Sequence, residues 1–398
     1  MDVRVSARTI HPFPARMAPE IALAAMAATD SLDVLDPMCG SGTVLREAVR
    51  QGHSATGLDI DPLAVLMATV ATTPIDTDAL KRSSKRVLKR LPAQAPISFD
   101  AETNEFASFW FGPVQRRDLQ ALARSIQTVG SRPLRHALQV ALTRTIVTKS
   151  PRASLAADTA HSRPHKVIEK SDYNVLEGFE RSVQGLAKLL DARELNGVAT
   201  VHQGDARHWL RRRSTSFDLI MTSPPYLNAL DYMRGHRLAL IWLGYSIQEC
   251  REIRSNSIGA ERGADGHVPA TVLGAVQTLL ANAPNPEGIP FRVVHRYALD
   301  LYEFAEQMRG ALKPDGRLIC VIGNSVVRGN IIPNDELLSV AIEAAGLQIV
   351  NRWTRELPPH KRYLPMHTSS IDQRISKRMA TEVILEASNS EITGPARP

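Results

Sequence analysis

The order of apolar runs along this chain predicts an α/β fold built on a parallel or mostly parallel sheet. Three observations carry that prediction. Runs of strand length at "LDVLDP", "SATGLDID", "GVATVHQGD", "FDLIMTS" and "GRLICVIGNS" alternate with stretches of helical character, and strands that alternate with helices pair in parallel. The first run passes through a glycine loop, "MCGSGT", straight into the helix "VLREAVRQG", which Gly52 closes at a C-cap position. The last two runs, "GLQIVNRW" and "TEVILEA", can form an antiparallel pair at the sheet edge.

Between these parts the pattern changes. Residues 1–72 read as the first part of the sheet domain, and residues 73–196 as a helical insertion without a convincing strand. Within the insertion Leu119, Leu122, Ile126 and Val129 recur at helical spacing, as do Leu176, Phe179, Val183, Leu186 and Leu190. A basic, polar loop, "TKSPRASLAADTAHSRPHK", separates the two sets. Residues 197–388 complete the sheet domain around a second insertion at 245–295, which "SNSIGAERGADGHV" and "ANAPNPEGIP" mark as irregular. Residues 389–398 read as a disordered tail.

Composition narrows the class. A chain of 398 residues with 43% hydrophobic residues can bury a sizeable core. No stretch approaches the roughly 20 apolar residues that span a bilayer, and "MDVRVSARTIHPFPARM" contains no apolar signal core. Cys39, Cys250 and Cys320 lie far apart, with neither zinc-ligand spacing nor a disulfide framework. These features predict a cytoplasmic protein with no membrane partner and no metal. The net charge of +7 favours a polyanionic partner.

Two stretches carry the chemistry. In "VLDPMCGSGTVLREA", Asp36 ends a strand, and Gly40 and Gly42 permit positive φ and close approach of a ligand to the backbone. Leu45 stands where a third glycine would mark a dinucleotide site. The next strand ends in "GLDIDP", where Asp59 can accept both ribose hydroxyls of an adenosine moiety and Asp61 suits a helix N-cap. A tight strand-to-helix turn explains the glycines alone; the acid at the second strand end adds weight to a nucleoside. The second stretch is "FDLIMTSPPYLN". Two successive prolines cannot continue a ladder, so the chain must leave the sheet at Ser223, presenting a hydroxyl, a stiffened backbone and an aromatic ring together.

"DPMCGSGT", "GLDIDP" and "MTSPPY" resemble the motifs of S-adenosylmethionine-dependent DNA amino-methyltransferases, and the serine form of the tetrapeptide resembles that of cytosine-N4 enzymes. The resemblance covers roughly residues 8–70 and 198–386 and implies a Rossmann-like, seven-stranded methyltransferase sheet. It implies S-adenosyl-L-methionine as cofactor. Asp36 and the backbone from Met38 through Cys39 and Gly40 to Gly42, with Thr43 beside them, would then face the methionine part. Asp59 would hold the ribose, Ile60 would pack on the adenine, and Asp205 in "HQGDAR" would reach the adenine amino group. A helix N-cap is the alternative for Asp205. "HPFPARMAPE" is similar to the segment flanking the methionine end, which would bring His11 and Arg16 to the cofactor; the family more often has lysine where this chain has Arg16. Cys39 stands in no Pro-Cys motif and reads as a small packing residue.

The exocyclic amine of a base is a poor nucleophile because its lone pair is delocalised into the ring. By the resemblance, the Ser223 hydroxyl and the Pro224 carbonyl would accept its protons and favour a pyramidal, more nucleophilic amine, with Pro224 and Pro225 stiffening the loop. Tyr226 would stack on a base that has left double-stranded DNA. Adenine N6 needs the same acceptors, an RNA amine is a third reading, and a non-catalytic DNA-binding protein is the reading from another class. A cognate restriction or defence system is the implied biological partner. Lys81, Arg82, Lys85, Arg86, Lys89 and Arg90 offer one basic face for DNA, Arg211, Arg212 and Arg213 another, and Arg234, His236 and Arg237 begin a helix near the tetrapeptide.

Overall fold

Seven strands form the central sheet: β1 (Asp33–Asp36), β2 (Ser54–Asp59), β3 (Val198–Gln203), β4 (Phe217–Thr222), β5 (Leu312–Ile322), β6 (Leu347–Glu356) and β7 (Thr381–Asn389). Across the sheet they run β6-β7-β5-β4-β1-β2-β3. The first five are mutually parallel, and β7 lies antiparallel between β5 and β6. The architecture is the expected Rossmann-like α/β sheet. The structure, a computed structural model, describes residues 10–12, 17–27, 30–92, 99–148, 151–157, 159, 164–209, 216–227, 232–260, 268–327, 330–357 and 381–389.

The helices among these residues are α1 (Pro19–Ala25), α2 (Thr43–Arg50), α3 (Pro62–Thr72), α4 (Thr77–Lys89), α5 (Ala101–Trp110), α6 (Pro113–Gln127), α7 (Arg132–Thr143), α8 (Val175–Asp191), α9 (Met233–Leu240), α10 (Ile247–Asn256), α11 (Ala270–Ala281), α12 (Phe291–Ala311) and α13 (Asn334–Ala344). Strand side chains alternate between two buried faces, which is why the strands read as near-continuous apolar runs. Val34, Leu219, Met221, Ile319, Val321 and Ile384 pack with residues of α1 and α2. Leu35, Ile220, Leu318, Cys320 and Leu385 pack with residues of α11, α12 and α13.

α3 links the sheet to the insertion. Its Ala68 belongs to the core beneath the sheet, while Leu63, Met67 and Val70 belong to a second core shared with α4 to α8. A helix buried on both sides must be apolar all round, as "PLAVLMATVAT" is. The insertion is helical as read, except that its polar loop pairs Ala156–Ala157 with His165–Lys166 in a two-residue antiparallel ladder.

Two expectations are corrected. The stretch 245–295 is not irregular: it contains α10, α11 and the start of α12. Ser246 and Glu249 form a full capping box at the start of α10, a local signal that the surrounding Asn, Gly and Pro residues obscured. Asn389 is the last residue of β7 and not the first of a tail, because it continues the pairing with β6 at Leu347. Residues 390–398 lie outside the described residues. Among the described residues no helix is long and apolar enough to cross a membrane, and no cluster of His, Cys, Asp and Glu is arranged to hold a metal ion.

Candidate active site

Strand order reverses at β1: β2 and β3 extend on one side, and β4 and β5 on the other. In open α/β sheets the crevice outside the carboxyl ends at such a reversal is where ligands bind. Both chemistry-bearing stretches leave the sheet there. Asp36 ends β1 and Thr222 ends β4, and the Thr222 hydroxyl donates to Asp36 Oδ1 at 2.8 Å in a buried contact.

The glycine loop is held by its own backbone and by Asp59. The Cys39 amide donates to the Leu58 carbonyl (2.8 Å), the Gly42 amide to the Cys39 carbonyl (2.7 Å) and the Gly40 amide to Asp59 Oδ2 (2.8 Å). Gly42 precedes α2 with φ of 81°, and a Cβ there would lie 3.0 Å from Ala68, so glycine is required on both counts. Thr43 opens α2 and is buried, as is Cys39, whose thiol burial pushes well above its ordinary range. Met38 donates its amide to Asp36 Oδ1 (3.2 Å).

Asp59 also accepts from the Asp61 amide at 2.9 Å, so each carboxylate oxygen holds one backbone N–H and keeps one acceptor direction. Burial, then the neighbouring Asp61 charge, pushes Asp59 up to about 7. Burial also pushes Asp36 up to about 7, against the Thr222 and Met38 hydrogen bonds, and Asp59 adds repulsion. Two neighbouring acids of this kind fit a ligand that brings positive charge and hydroxyl donors. Asp61 caps α3 through the Leu63 amide (2.8 Å), and its other oxygen meets His236 Nδ1 at 2.5 Å.

Beyond Thr222 the backbone is non-regular from Ser223 to Tyr226, with Pro224 buried and Ser223, Pro225 and Tyr226 half-buried. The Tyr226 phenol reaches Glu382 on β7 at 3.4 Å, with the Ser223 side chain near it. From α12 the fully buried Tyr297 donates its hydroxyl to the Pro225 carbonyl at 3.0 Å. Residues 228–231 lie outside the described residues; beyond them Tyr232 stands near enough to Asp59 for burial and that charge to push its phenol up.

His236 is buried and turned inward onto Asp61, because a buried carboxylate needs a partner. Arg237 lies over the Phe106 ring at 5.0 Å, packed against the insertion. His11 is buried, with Nδ1 against the Pro12 carbonyl (2.8 Å) and Nε2 unpartnered. Burial lowers it to about 3, so it is neutral near pH 7. Arg144, just past α7, bonds the Ile10 carbonyl, which docks this segment on the insertion. Arg16 and Arg211 to Arg213 lie outside the described residues. On α4, Lys85, Lys89 and Arg90 are exposed, while Lys81 pairs with Asp78 and Arg82 with Asp76.

Asp205 follows β3, and its carbonyl accepts from the His208 and Trp209 amides in a turn; residues 210–215 lie outside the described residues. Its carboxylate takes the Arg207 amide (2.9 Å), Nε (3.0 Å) and Nη2 (2.6 Å). Burial would raise Asp205, yet these bonds hold it below the usual carboxylate range. Arg207 continues to Asp300 on α12 and to the Asn256 carbonyl (2.5 Å). Ile60 is half-buried, and its carbonyl receives Gln203 Nε2 at 3.4 Å. Tyr297, Arg207 and Asp300 escaped the sequence reading, since nothing local in "RVVHRYALDLY" marks a partner 72 or 93 residues away.

No family model matches the chain. Over 416 residues, spanning 95% of this chain and 90% of the relative, it is 23% identical to the Type II methyltransferase M.MvaI of Kocuria varians. Among solved structures it is similar to a TehB-like SAM-dependent methyltransferase from Corynebacterium glutamicum (11% identity, 94% of this chain, 89% of that chain, TM-score 0.31). It is also similar to the rRNA methyltransferase AviRa from Streptomyces viridochromogenes (10% identity, 94% of this chain, 86% of that chain, TM-score 0.31).

Proposed function

We propose that this chain is a DNA methyltransferase that transfers a methyl group from S-adenosyl-L-methionine to the N4 amine of cytosine. One observation carries the reading: the Asp36 loop and the Ser223–Tyr226 loop meet at the strand-order reversal, tied by the 2.8 Å bond from Thr222 to Asp36. Methyl transfer is the activity supported by the likeness to a Type II methyltransferase along nearly the full chain. The net charge of +7 favours DNA as the polyanion. The same reading gives the enzyme a cognate restriction or defence nuclease as its partner system.

The cofactor supplies a methyl group activated on a cationic sulfonium. Asp36 and the loop from Met38 to Thr43 would hold its methionine part, Asp59 its ribose, and Ile60 and Asp205 its adenine. Asp36 and Asp59 gain most from a cationic, hydroxyl-bearing ligand, because burial alone leaves both poised near neutrality. Ser223 Oγ and the Pro224 carbonyl would accept hydrogen bonds from the two amine N–H groups and favour the pyramidal amine, one of whose protons is lost to solvent after transfer. The proline φ angles keep these acceptors preorganised. Tyr226 stacks on the extruded base.

The test is chemical. DNA incubated with the protein and S-adenosylmethionine is digested to nucleosides and measured by mass spectrometry. N4-methylcytosine is the expected product. N6-methyladenine alone would move the acceptor to adenine and leave the mechanism standing; no methylated nucleoside, with cofactor bound, would refute the DNA reading.

A further inference from the structure

We infer that Tyr297 is a positioning residue for methyl transfer: from α12 its phenol holds the Pro225 carbonyl and so fixes the Ser223 and Pro224 acceptors. The inference rests on the proposed function. Past Thr222 the chain has no ladder to hold it, and Pro224 and Pro225 bring no N–H of their own. A loop at the floor of a site still needs partners for its remaining backbone groups. The Pro225 carbonyl finds one in the Tyr297 hydroxyl at 3.0 Å. One side chain of α12 therefore holds the backbone of the tetrapeptide directly before Tyr226.

Tyr297 is itself held. It is fully buried, and a Cβ on Gly259 would lie 3.3 Å from its ring, so the loop after α10 closes tightly over it. One turn further along α12, Asp300 receives the Gly259 amide (3.1 Å), Arg296 Nε (2.8 Å) and Arg207. The same stretch of α12 thus anchors both the acceptor loop and, through Arg207, Asp205 on the adenine side. A tyrosine needed only for packing would bring a buried hydroxyl at a cost; here that hydroxyl is spent on the tetrapeptide. Amine activation depends on acceptor placement to a fraction of an ångström, so a backbone clamp acts on rate and not on cofactor affinity.

Tyr297→Phe in the full chain removes the clamp and keeps the ring. With saturating S-adenosylmethionine and DNA, the single-turnover rate should fall on the order of ten- to hundredfold, while the dissociation constants for cofactor and S-adenosylhomocysteine stay within about twofold. Combined with Ser223→Ala, the second change should slow transfer no more than about threefold beyond Ser223→Ala alone, because both act through one arrangement. An unchanged rate for Tyr297→Phe, or fully multiplicative losses, would overturn the clamp. If Tyr297→Phe gives no folded protein, as judged by stabilisation with S-adenosylhomocysteine, the hydroxyl proton of Tyr297 in the wild type decides: slow exchange with solvent supports its bond to Pro225 and fast exchange refutes it. A wild type that methylates no DNA would count against the proposed function, and the Tyr297 hydroxyl proton would still judge the clamp.

Discussion

Thr222 and Asp36 join the two halves of the candidate site, hydroxyl to carboxylate at 2.8 Å, at the ends of the adjacent strands β4 and β1. Both side chains are buried, so the bond forms where water cannot replace it. It stabilises the ionised form of Asp36 against a burial that favours the neutral form. Whatever fixes the charge on Asp36 is therefore wired to the strand that presents Ser223.

Thr222→Val tests that wiring with almost no change of shape. Loss of a hydrogen bond to a charged group costs roughly 1.5–3 kcal/mol, and here the loss falls on the ionised Asp36. S-adenosylmethionine should bind on the order of ten- to a hundredfold more weakly at pH 8, with the fold retained. Calorimetric titration would show it; wild-type affinity would detach Asp36 from the cofactor.

The pH dependence follows from two raised carboxyls. Asp36 and Asp59 are pushed up to about 7 in the folded chain, against about 3.9 when unfolded. The folded state therefore holds protons that the unfolded state has released, and stability declines as pH rises through 7. His11 works in the opposite direction: lowered to about 3 when folded, it adds stability as pH rises towards its unfolded value near 6.5. Above pH 6.5 only about 0.4 kcal/mol of that gain remains, because half of the unfolded histidine is already neutral, so the acids dominate the window from 6.5 to 8. The ligand-free protein should lose on the order of 1 kcal/mol there, seen as a falling denaturation midpoint. Over the same window the preference for S-adenosylmethionine over the uncharged-sulfur product should grow, because the sulfonium favours ionised carboxylates. A preference that stays flat would place the sulfonium away from both acids.

Arg207 sits between Asp205 and Asp300, its side chain 5% exposed and that of Asp300 1% exposed. Removing one partner of a buried ion pair leaves an uncompensated charge and costs about 3–5 kcal/mol. Arg207→Met should destabilise the protein towards that scale in urea unfolding, because Asp205 loses its guanidinium while Asp300 keeps Arg296. A loss below about 1 kcal/mol would class the network with surface pairs.

How far the sequence reaches depends on whether a signal is local. The strand, glycine loop, helix and second strand from Asp33 to Asp59 were legible because apolar period and glycine positions specify them together. The exit of β4 into the tetrapeptide was legible because proline forbids a ladder. α10 and α11 were hidden by polar and glycine-rich flanks, although Ser246 and Glu249 spelled out a cap. Contacts that cross the fold left no trace. His236 meets Asp61 across 175 residues, and each looks locally like a surface charge or a cap. Tyr297 reads as one more core residue of an amphipathic helix until the fold brings Pro225 beneath it.

The tetrapeptide itself separates rate from capture. Ser223 has its side chain beside the Tyr226 phenol and lies one residue past the Thr222–Asp36 bond, and it makes no hydrogen bond to Asp36 or Asp59. Ser223→Ala should therefore lower the methyl-transfer rate by roughly a hundredfold or more, the scale of one preorganised transition-state partner, with cofactor affinity nearly unchanged. Tyr226→Ala removes a ring that is half-buried and tied to Glu382. It should weaken capture of the extruded base by about 1–3 kcal/mol, the worth of one stacking partner, raising the KM for DNA more than it lowers the rate at saturation. Single-turnover rates across a range of DNA concentrations distinguish the two. If Ser223→Ala raised KM alone, the serine would be a binding contact; if Tyr226→Ala left KM untouched, the ring would be packing for β7 and not a platform for the base.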